Sequence, residues 1–203
     1  MRFQLNKQCG PAMLNLLRQI AMTAIPCVRP IAFSVGLNSN VIDTADSVVE
    51  DMTAFIHNAM CNKYVTDDLN KKLIVYDATV SSVLQASAFE DIGIRSYQDN
   101  TILHLLSQTH VSIIFRNARG NFSAKDNISF LQDNAIDTNK YVVAPSRHSA
   151  VDSISINEIE SETAYIADLT VQSQLYSEEK ILSAATTEML SQVTDLAQKH
   201  NFT

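Results

Sequence analysis

Glycine is scarce in this chain. The 203 residues include four glycines, Gly10, Gly36, Gly93 and Gly120, and no two of them are close enough to form a G-x-G motif. Dinucleotide-binding fingerprints and phosphate-binding P-loops need closely spaced glycines so that the backbone can approach the phosphates. The scarcity therefore excludes both of these standard nucleotide-binding motifs.

Cysteine is also rare, with three residues at Cys9, Cys27 and Cys61. They are odd in number and form no C-x-x-C pair, so we expect neither a disulfide framework nor a zinc ribbon, and a reducing compartment is favoured. The five histidines form no H-E-x-x-H motif or other metal spacing. We therefore predict no metal ion and no other cofactor.

Positive charge and long apolar runs are lacking as well. Lys and Arg total 15 against 22 Asp and Glu, a net charge of −7, whereas duplex DNA is bound mainly through cationic side chains. No apolar run approaches the roughly 18 residues that a membrane helix needs, and the first ten residues lack the apolar segment of a signal peptide. We expect no membrane partner and a cytoplasmic location, or a host cytoplasm, virion or organelle stroma if a virus or an organelle genome encodes the chain.

What the chain does contain is an amphipathic helix near each end. Pro11 starts the first, over residues 12–24, and Pro26 ends it. Ser177 is the predicted N-cap of the second, whose first turn carries Glu178 and Glu179. Each helix has an apolar stripe, and we expect the two stripes to pack together or against another copy. The predicted dimer interface consists of Met13, Leu16, Leu17, Ile20, Ile181, Ala185, Met189, Val193 and Leu196.

Between these helices the pattern is mainly that of strands. Short apolar or alternating runs predict them, and Ile31, Phe33 and Val35 are expected on one face of the first. The runs lie at residues 31–35, 72–76, 102–106, 111–115, 154–156 and 165–171. Residues 47–60 predict a helix with Ser47 as N-cap and Glu50 completing a capping box, whereas residues 117–139 predict a loop. This order indicates an α+β fold with an antiparallel sheet.

Candidate catalytic residues are few. His104 and His110 could form a hydrolase pair, but no acid or nucleophile motif accompanies them. Asp46, Glu50 and Asp51 could bind a divalent cation, although an acidic helix start explains them better. Five basic residues indicate either a scattered solvated face or a local docking patch. They are Arg116, Arg119, Lys125, Lys140 and Arg147. With no catalytic constellation, the residues favour an interaction or scaffold role.

Five segments, in order, resemble the N-terminal domain of the alpha subunit of bacterial and plastid RNA polymerase. Residues 10–27, GPAMLNLLRQIAMTAIPC, are similar to the family's first helix, G-x-T-L-G-N-A-L-R-R-x-L-L-S-S-I-P-G. Residues 50–60, EDMTAFIHNAM, are similar to E-D-V-T-x-I-I-L-N-L-K. Residues 117–127 and 143–147 are similar to R-G-R-G-Y-V-P-A-E-x-N and F-S-P-V-R, and residues 169–182 to the start of the family's last helix.

The resemblance implies a dimerisation subdomain, residues 1–46 and 151–203, with an inserted β-rich subdomain, residues 47–150. It implies a non-catalytic assembly subunit that dimerises with itself or a related subunit and docks beta-like and beta-prime-like large subunits. Those large subunits hold the catalytic metal of the family on an N-A-D-F-D-G-D motif. The docking residues that the resemblance implies are Arg18, Gln19, Glu50, Asp51, Thr53, Arg119 and Gly120. Arg18 is expected beside the buried helix seam, paired with a large subunit or with Glu50 or Asp51.

The chain also departs from the family pattern. Gln19 replaces the second arginine of the first helix, Leu14 replaces a glycine, and Asn117-Ala118 replace an Arg-Gly pair. The printed chain ends after the last helix, without a counterpart of the family's DNA-binding domain, so we expect no direct promoter DNA binding. These departures indicate a divergent copy of the kind that viruses, plasmids or organelle genomes carry. Alternatives from other classes are a small hydrolase using His104 or His110, and a viral structural protein that self-assembles.

Overall fold

A computed structural model of the protein describes residues 1–36, 50–159 and 161–199. The first half contains β1 (Arg2–Leu5), α1 (Gly10–Ala21), β2 (Cys27–Val35), α2 (Met52–Cys61), β3 (Tyr64–Thr66), β4 (Leu73–Val80), β5 (Val83–Gln85), a 3-10 helix (Ala86–Ile92), β6 (Ile94–Ser96) and β7 (Thr101–His104). The second half contains β8 (Thr109–Ala118), β9 (Gly120–Phe122), α3 (Ala124–Asp133), a 3-10 helix (Thr138–Lys140), β10 (Val142–Val143), β11 (Ser146–His148), β12 (Ser153–Ile159), β13 (Tyr165–Gln172) and α4 (Glu178–Lys199). Helices and antiparallel sheets together confirm the α+β fold. None of the helices in the described ranges is long and apolar enough to cross a membrane.

The chain divides into two compact units. Unit 1 consists of residues 1–25 and 149–203, and unit 2 of residues 26–148. The predicted boundary between residues 46 and 47 lies outside the described residues. The chain passes from unit 1 into unit 2 after Ile25, because β2 is hydrogen bonded to β3, β8 and β10 of unit 2. The strand predicted at residues 31–35 therefore belongs to the inserted unit.

Unit 1 is a three-stranded antiparallel sheet with two helices. The strand order is β1–β13–β12, and β1 pairs with the middle strand, with Arg2 opposite Asp168. Alternate residues of β13 are buried, as the period-2 pattern predicts. The core joins these residues to the inner faces of both helices. It includes Leu14, Leu17, Ile20, Ala167, Leu169, Ile181, Leu182 and Ala185.

Unit 2 is built on a six-stranded antiparallel sheet. Five strands follow the order β4–β8–β2–β3–β6, and β10 also pairs with β2. The two central strands are buried on both faces: Phe33 packs against α2, and Ile114 against α3. Two short pairs, β5 with β7 and β9 with β11, complete the unit.

A bulge in β2 changes which residues share a face. The register with β8 shifts between Pro30 and Ala32, and a bulge inserts one residue into the alternation. Ile31 therefore packs on the α3 side with Ala32, whereas Phe33 and Val35 pack on the α2 side. The prediction that Ile31, Phe33 and Val35 share one face is wrong for Ile31.

Two helix starts differ from the sequence prediction. The segment predicted as a loop contains α3, because Ser123 and Asp126 form a reciprocal capping box. At α2 the N-cap is Asp51, whose side chain accepts a hydrogen bond from the Ala54 N–H at 2.7 Å. Ser47, the predicted N-cap, lies outside the described residues. The N-cap predicted for α4 is confirmed, because Ser177 Oγ accepts a hydrogen bond from the Lys180 N–H.

Candidate assembly surfaces

Helices α1 and α4 of unit 1 contact each other. The nine predicted interface residues on these helices fall into a buried group and an exposed group. Leu17, Ile20, Ile181 and Ala185 are buried in unit 1's own core, and Met189 is half-buried against it. Exposure is higher for the rest, namely Met13, Leu16, Val193 and Leu196. The buried stripe of α1 centres on Leu14 and Leu17, and this rotation leaves Met13 and Leu16 outside.

The end of α4 exposes a stripe of large apolar side chains. Leu190, Val193 and Leu196 are 59%, 49% and 56% exposed, and every residue from 190 to 196 is exposed. Spacing of three residues places them on one side of the helix. We refer to these three residues as the α4 stripe. Exposed apolar side chains grouped in this way mark interaction surfaces.

Arg18 and Gln19, the predicted docking residues of unit 1, are both exposed on α1. Arg18 Nε and Nη2 donate hydrogen bonds to Asn15 Oδ1 at 3.2 and 3.0 Å. The expectation of a buried Arg18 paired with Glu50 or Asp51 is therefore wrong, because the inward positions of this helix are Leu14 and Leu17. Arg18 lies on a surface that another chain can reach.

Glu50, Asp51 and Thr53 lie at the start of α2 in unit 2. Glu50 accepts a hydrogen bond from the His104 N–H at 2.8 Å and also contacts His104 Nδ1. Partial burial raises the pKa of the Glu50 carboxyl, but the hydrogen bonds from His104 outweigh it and hold the pKa below its ordinary value. Asp51 caps the helix, so two of these three side chains already stabilise the fold, whereas Thr53 is exposed.

Arg119 lies in a bend between β8 and β9, and Gly120 is the first residue of β9. Gly120 has φ +95°, in the left-handed region that favours glycine. Strand β9 pairs with β11, with Arg147 opposite Asn121. The third and fourth segments of the family resemblance therefore meet in one two-stranded ribbon, from which Arg119 and Arg147 are exposed.

Arg116, by contrast, is not part of an exposed basic patch. Its guanidinium carbon lies 3.7 Å from the ring centre of Phe122 and 4.2 Å from that of Phe130. Nη1 donates a hydrogen bond to Asn127 Oδ1 at 3.0 Å. Arg116 therefore holds β8, β9 and α3 together, and Lys125, Lys140, Arg119 and Arg147 are the exposed basic residues of this segment.

A buried network of hydrogen bonds, which the sequence did not indicate, joins β11 of the ribbon to β2 and α3. His148 Nδ1 lies 2.7 Å from the Cys27 carbonyl oxygen, and His148 Nε2 lies 2.8 Å from Ser146 Oγ. Since the carbonyl can only accept, Nδ1 carries the proton and Ser146 donates to Nε2. Asn127 Nδ2 donates to both Ser146 Oγ and the Ala144 carbonyl. Burial, reinforced by the charges of Arg116 and Arg29, lowers the pKa of His148 to about 4.

The Ser146–His148 pair has the hydrogen bond of a nucleophile and its base, but not the access. Ser146 is 5% exposed and His148 is fully buried, so a substrate cannot reach the hydroxyl. The two histidines proposed for hydrolysis are also otherwise engaged, because His104 contacts Glu50 and His110 contacts Asp77. Within the three described ranges, no three His, Cys, Asp or Glu side chains converge on a metal position.

An open cleft of about 630 Å³ lies at the β12–β13 end of unit 1. Lys7 Nζ donates there to the carbonyls of Ser161 and Glu162, and the Tyr165 hydroxyl donates to Glu158 Oε1. The polar groups that line the cleft thus hydrogen bond to one another and stabilise the end of the β12–β13 hairpin.

No protein-family model matches the chain, and no curated protein matches it significantly. Its function is therefore inferred from the geometry above and from the resemblance of its five segments.

Proposed function

We propose that the protein is a non-catalytic, alpha-like assembly subunit of a multisubunit DNA-dependent RNA polymerase. It pairs with a second alpha-like chain, either itself or a related subunit, and the pair docks the beta-like and beta-prime-like subunits. The observation that carries this proposal is the make-up of unit 1. Both ends of the chain form it, and its two helices each expose apolar side chains, Met13 and Leu16 on α1 and the α4 stripe on the other.

The positions of the resembling segments also support the proposal. The first segment contains α1, the second contains the N-cap and most of α2, and the last runs from β13 into α4. The third and fourth pair as β9 and β11. Each segment thus has a defined structural place, and the two loops that carry exposed arginines share one ribbon.

A non-catalytic role agrees with the state of the reactive side chains. His104 and His110 each contact a carboxylate, and Ser146 is buried beside a histidine whose ring nitrogens are both hydrogen bonded. Catalysis of nucleotide addition then belongs to the large subunits of the proposed complex.

The test is co-purification of the tagged chain with large polymerase subunits from its own source cells. We expect capture of chains that carry the N-A-D-F-D-G-D motif. The Arg18→Ala, Gln19→Ala double variant should lose most of this capture yet keep its unfolding free energy within about 0.5 kcal/mol, because both side chains are exposed. Lys71→Ala, an exposed cation in a turn of unit 2, is the matched control and should capture normally.

Two outcomes would contradict the proposal. One is the absence of any chain with the N-A-D-F-D-G-D motif among captured proteins while the tagged chain forms large homopolymers, which would favour the structural self-assembly alternative. The other is equal capture by the double variant and the wild-type protein, which would remove α1 from the docking face.

A further inference from the structure

His57 and Cys61 form an exposed pair one turn apart on α2. They are four residues apart, so their side chains lie above one another on the same face of the helix. Cys61 Sγ is 3.5 Å from His57 Nε2 and 3.7 Å from Nδ1. Both side chains are open to solvent, so a small ligand can reach them without any movement of the backbone.

The sulfur–nitrogen distance equals the distance between two ligands of one zinc ion. In a tetrahedral site with Zn–S of about 2.3 Å and Zn–N of about 2.0 Å, the sulfur and nitrogen lie about 3.5 Å apart. The sulfur lies at similar distances from both ring nitrogens, so the exposed ring must rotate to direct one in-plane lone pair toward an ion bound to the thiolate. We propose that His57 and Cys61 bind one Zn²⁺ ion, with water in the remaining coordination positions.

The ligand types select the metal. A thiolate with an imidazole suits zinc, whereas Mg²⁺ and Ca²⁺ prefer oxygen ligands. Binding replaces the Cys61 thiol proton, which is released to solvent, and requires neutral His57. The site lies in the last turn of α2, where the carbonyl end of the helix favours a cation.

One nearby charge opposes the metal. Arg29 Nη1 donates to the carbonyls of Met60 and Asn62, the residues on either side of Cys61. Its positive charge reduces the affinity for a dication, and two protein ligands bind less tightly than the four of a structural zinc site. We therefore expect weaker binding than at a four-ligand structural zinc site. The site is independent of the proposed polymerase role.

The experiment is titration of the reduced full chain with Co²⁺, followed by displacement with Zn²⁺. A bound thiolate gives a sulfur-to-cobalt charge-transfer band in the near ultraviolet. We expect the band to grow with added Co²⁺ to a plateau that corresponds to one bound ion per chain, and Zn²⁺, which binds more tightly, to remove it. Cys61→Ser should abolish the band, and His57→Gln should weaken binding on the order of 100-fold, because the second ligand of a chelate acts intramolecularly. Cys9→Ser, which removes the other exposed thiol, should leave the titration unchanged.

Three results would overturn the site. The band could be absent at millimolar Co²⁺, it could survive in Cys61→Ser and disappear in Cys9→Ser, or it could be unchanged in His57→Gln. Circular dichroism of each variant verifies that the fold is retained, which is expected because both side chains are exposed.

Discussion

Gly10, the first residue of α1, has no room for a side chain because Tyr165 packs against it. A Cβ atom at this position would lie 2.5–2.8 Å from the side chain of Tyr165 on β13. Real Cβ atoms do not approach carbon so closely, so the ring or the helix must shift. We expect Gly10→Ala to lower the unfolding free energy by about 1–3 kcal/mol, the usual cost of overpacking, as measured by urea unfolding.

A double-mutant cycle isolates this contact. In the Tyr165→Gly background the ring and the Cβ that the new methyl group would meet are both gone, so Gly10→Ala should then cost much less. An equal cost in both backgrounds would show that Tyr165 is not the obstacle.

His148 makes the stability of the protein depend on pH. Burial lowers its pKa from 6.5 to about 4. Between these values the unfolded chain binds a proton that the folded protein does not, so stability is complete above pH 6.5 and falls as the pH falls through this window. The two pKa values correspond to a loss of about 2 kcal/mol between pH 7 and pH 5, which urea unfolding at the two pH values measures.

The matched variant is His148→Gln, whose amide can donate to the Cys27 carbonyl and accept from Ser146 but does not titrate. It should be less stable at pH 7 and should lose about 2 kcal/mol less than the wild type on going to pH 5. Glu50, whose pKa is held below 4.5, loses its contribution only at lower pH. Parallel pH profiles for wild type and variant would contradict the assignment to His148.

Single residues show where sequence reading reaches its limit. Ser47 and Glu50 satisfy the capping-box spacing, yet Asp51 caps α2, because Glu50 is bound to a residue 54 positions away. The His57–Cys61 pair was missed because the cysteines and the histidines were each compared with metal motifs separately, and this pair combines one of each. Ser146 and His148 are two residues apart and become a network only when β2 supplies the Cys27 carbonyl. Long-range partners decide the first and third cases, whereas the His57–Cys61 pair is local, four residues apart on one helix.

At the scale of elements, α3 ends in a strained residue. Ala135 has φ 59°, and the hydrogen bonds Ala135 N–H to Gln132 O and Ile136 N–H to Leu131 O close the helix end. A left-handed residue at this position is usually glycine, since a Cβ is crowded there. Ala135→Gly should therefore raise the unfolding free energy by about 1 kcal/mol.

The control lies at the other end of the same helix. Ala124 occupies the first position of α3, where glycine offers no conformational advantage and loses more entropy on folding. Ala124→Gly should be neutral or destabilising by up to about 1 kcal/mol. An Ala135→Gly variant that is destabilised to the same extent as Ala124→Gly would show that the left-handed residue stores no strain, because only the entropy of the unfolded chain would then have changed.

Elements were predictable where one local pattern dominates. The start of α4 follows from Ser177 and two glutamates, and β13 follows from its alternation. Helix α3 was hidden by its Asn, Asp and Ser content, although Ser123 and Asp126 carry a capping signal. Strand β1 has no strong pattern of its own, because it is fixed by pairing with a strand whose residues lie 160 or more positions later.

At the scale of the whole molecule, the sequence indicated two helices at opposite ends of the chain but not which side of each is covered. Alanine and leucine occur around much of α1, so periodicity alone could not separate Leu14, which is buried, from Met13, which is exposed. The exposed candidate surface can be identified only from the structure, which shows that Leu17, Ile20, Ile181 and Ala185 are buried in the core of unit 1.

The α4 stripe leads to the prediction that the protein is a dimer in solution, with a mass of twice 22.5 kDa by light scattering at micromolar concentration. Val193→Asp should shift the dissociation constant by about 100-fold or more, because it places a charge in a desolvated interface. Val193 is 49% exposed and outside the core, so the fold should survive, whereas Met189→Asp would disturb core packing as well. Ser191→Asp adds the same charge on the opposite side of this helix turn and should remain dimeric. A wild-type monomer that also recruits no related subunit, or a dimer that tolerates Val193→Asp, would remove the α4 stripe as an interface.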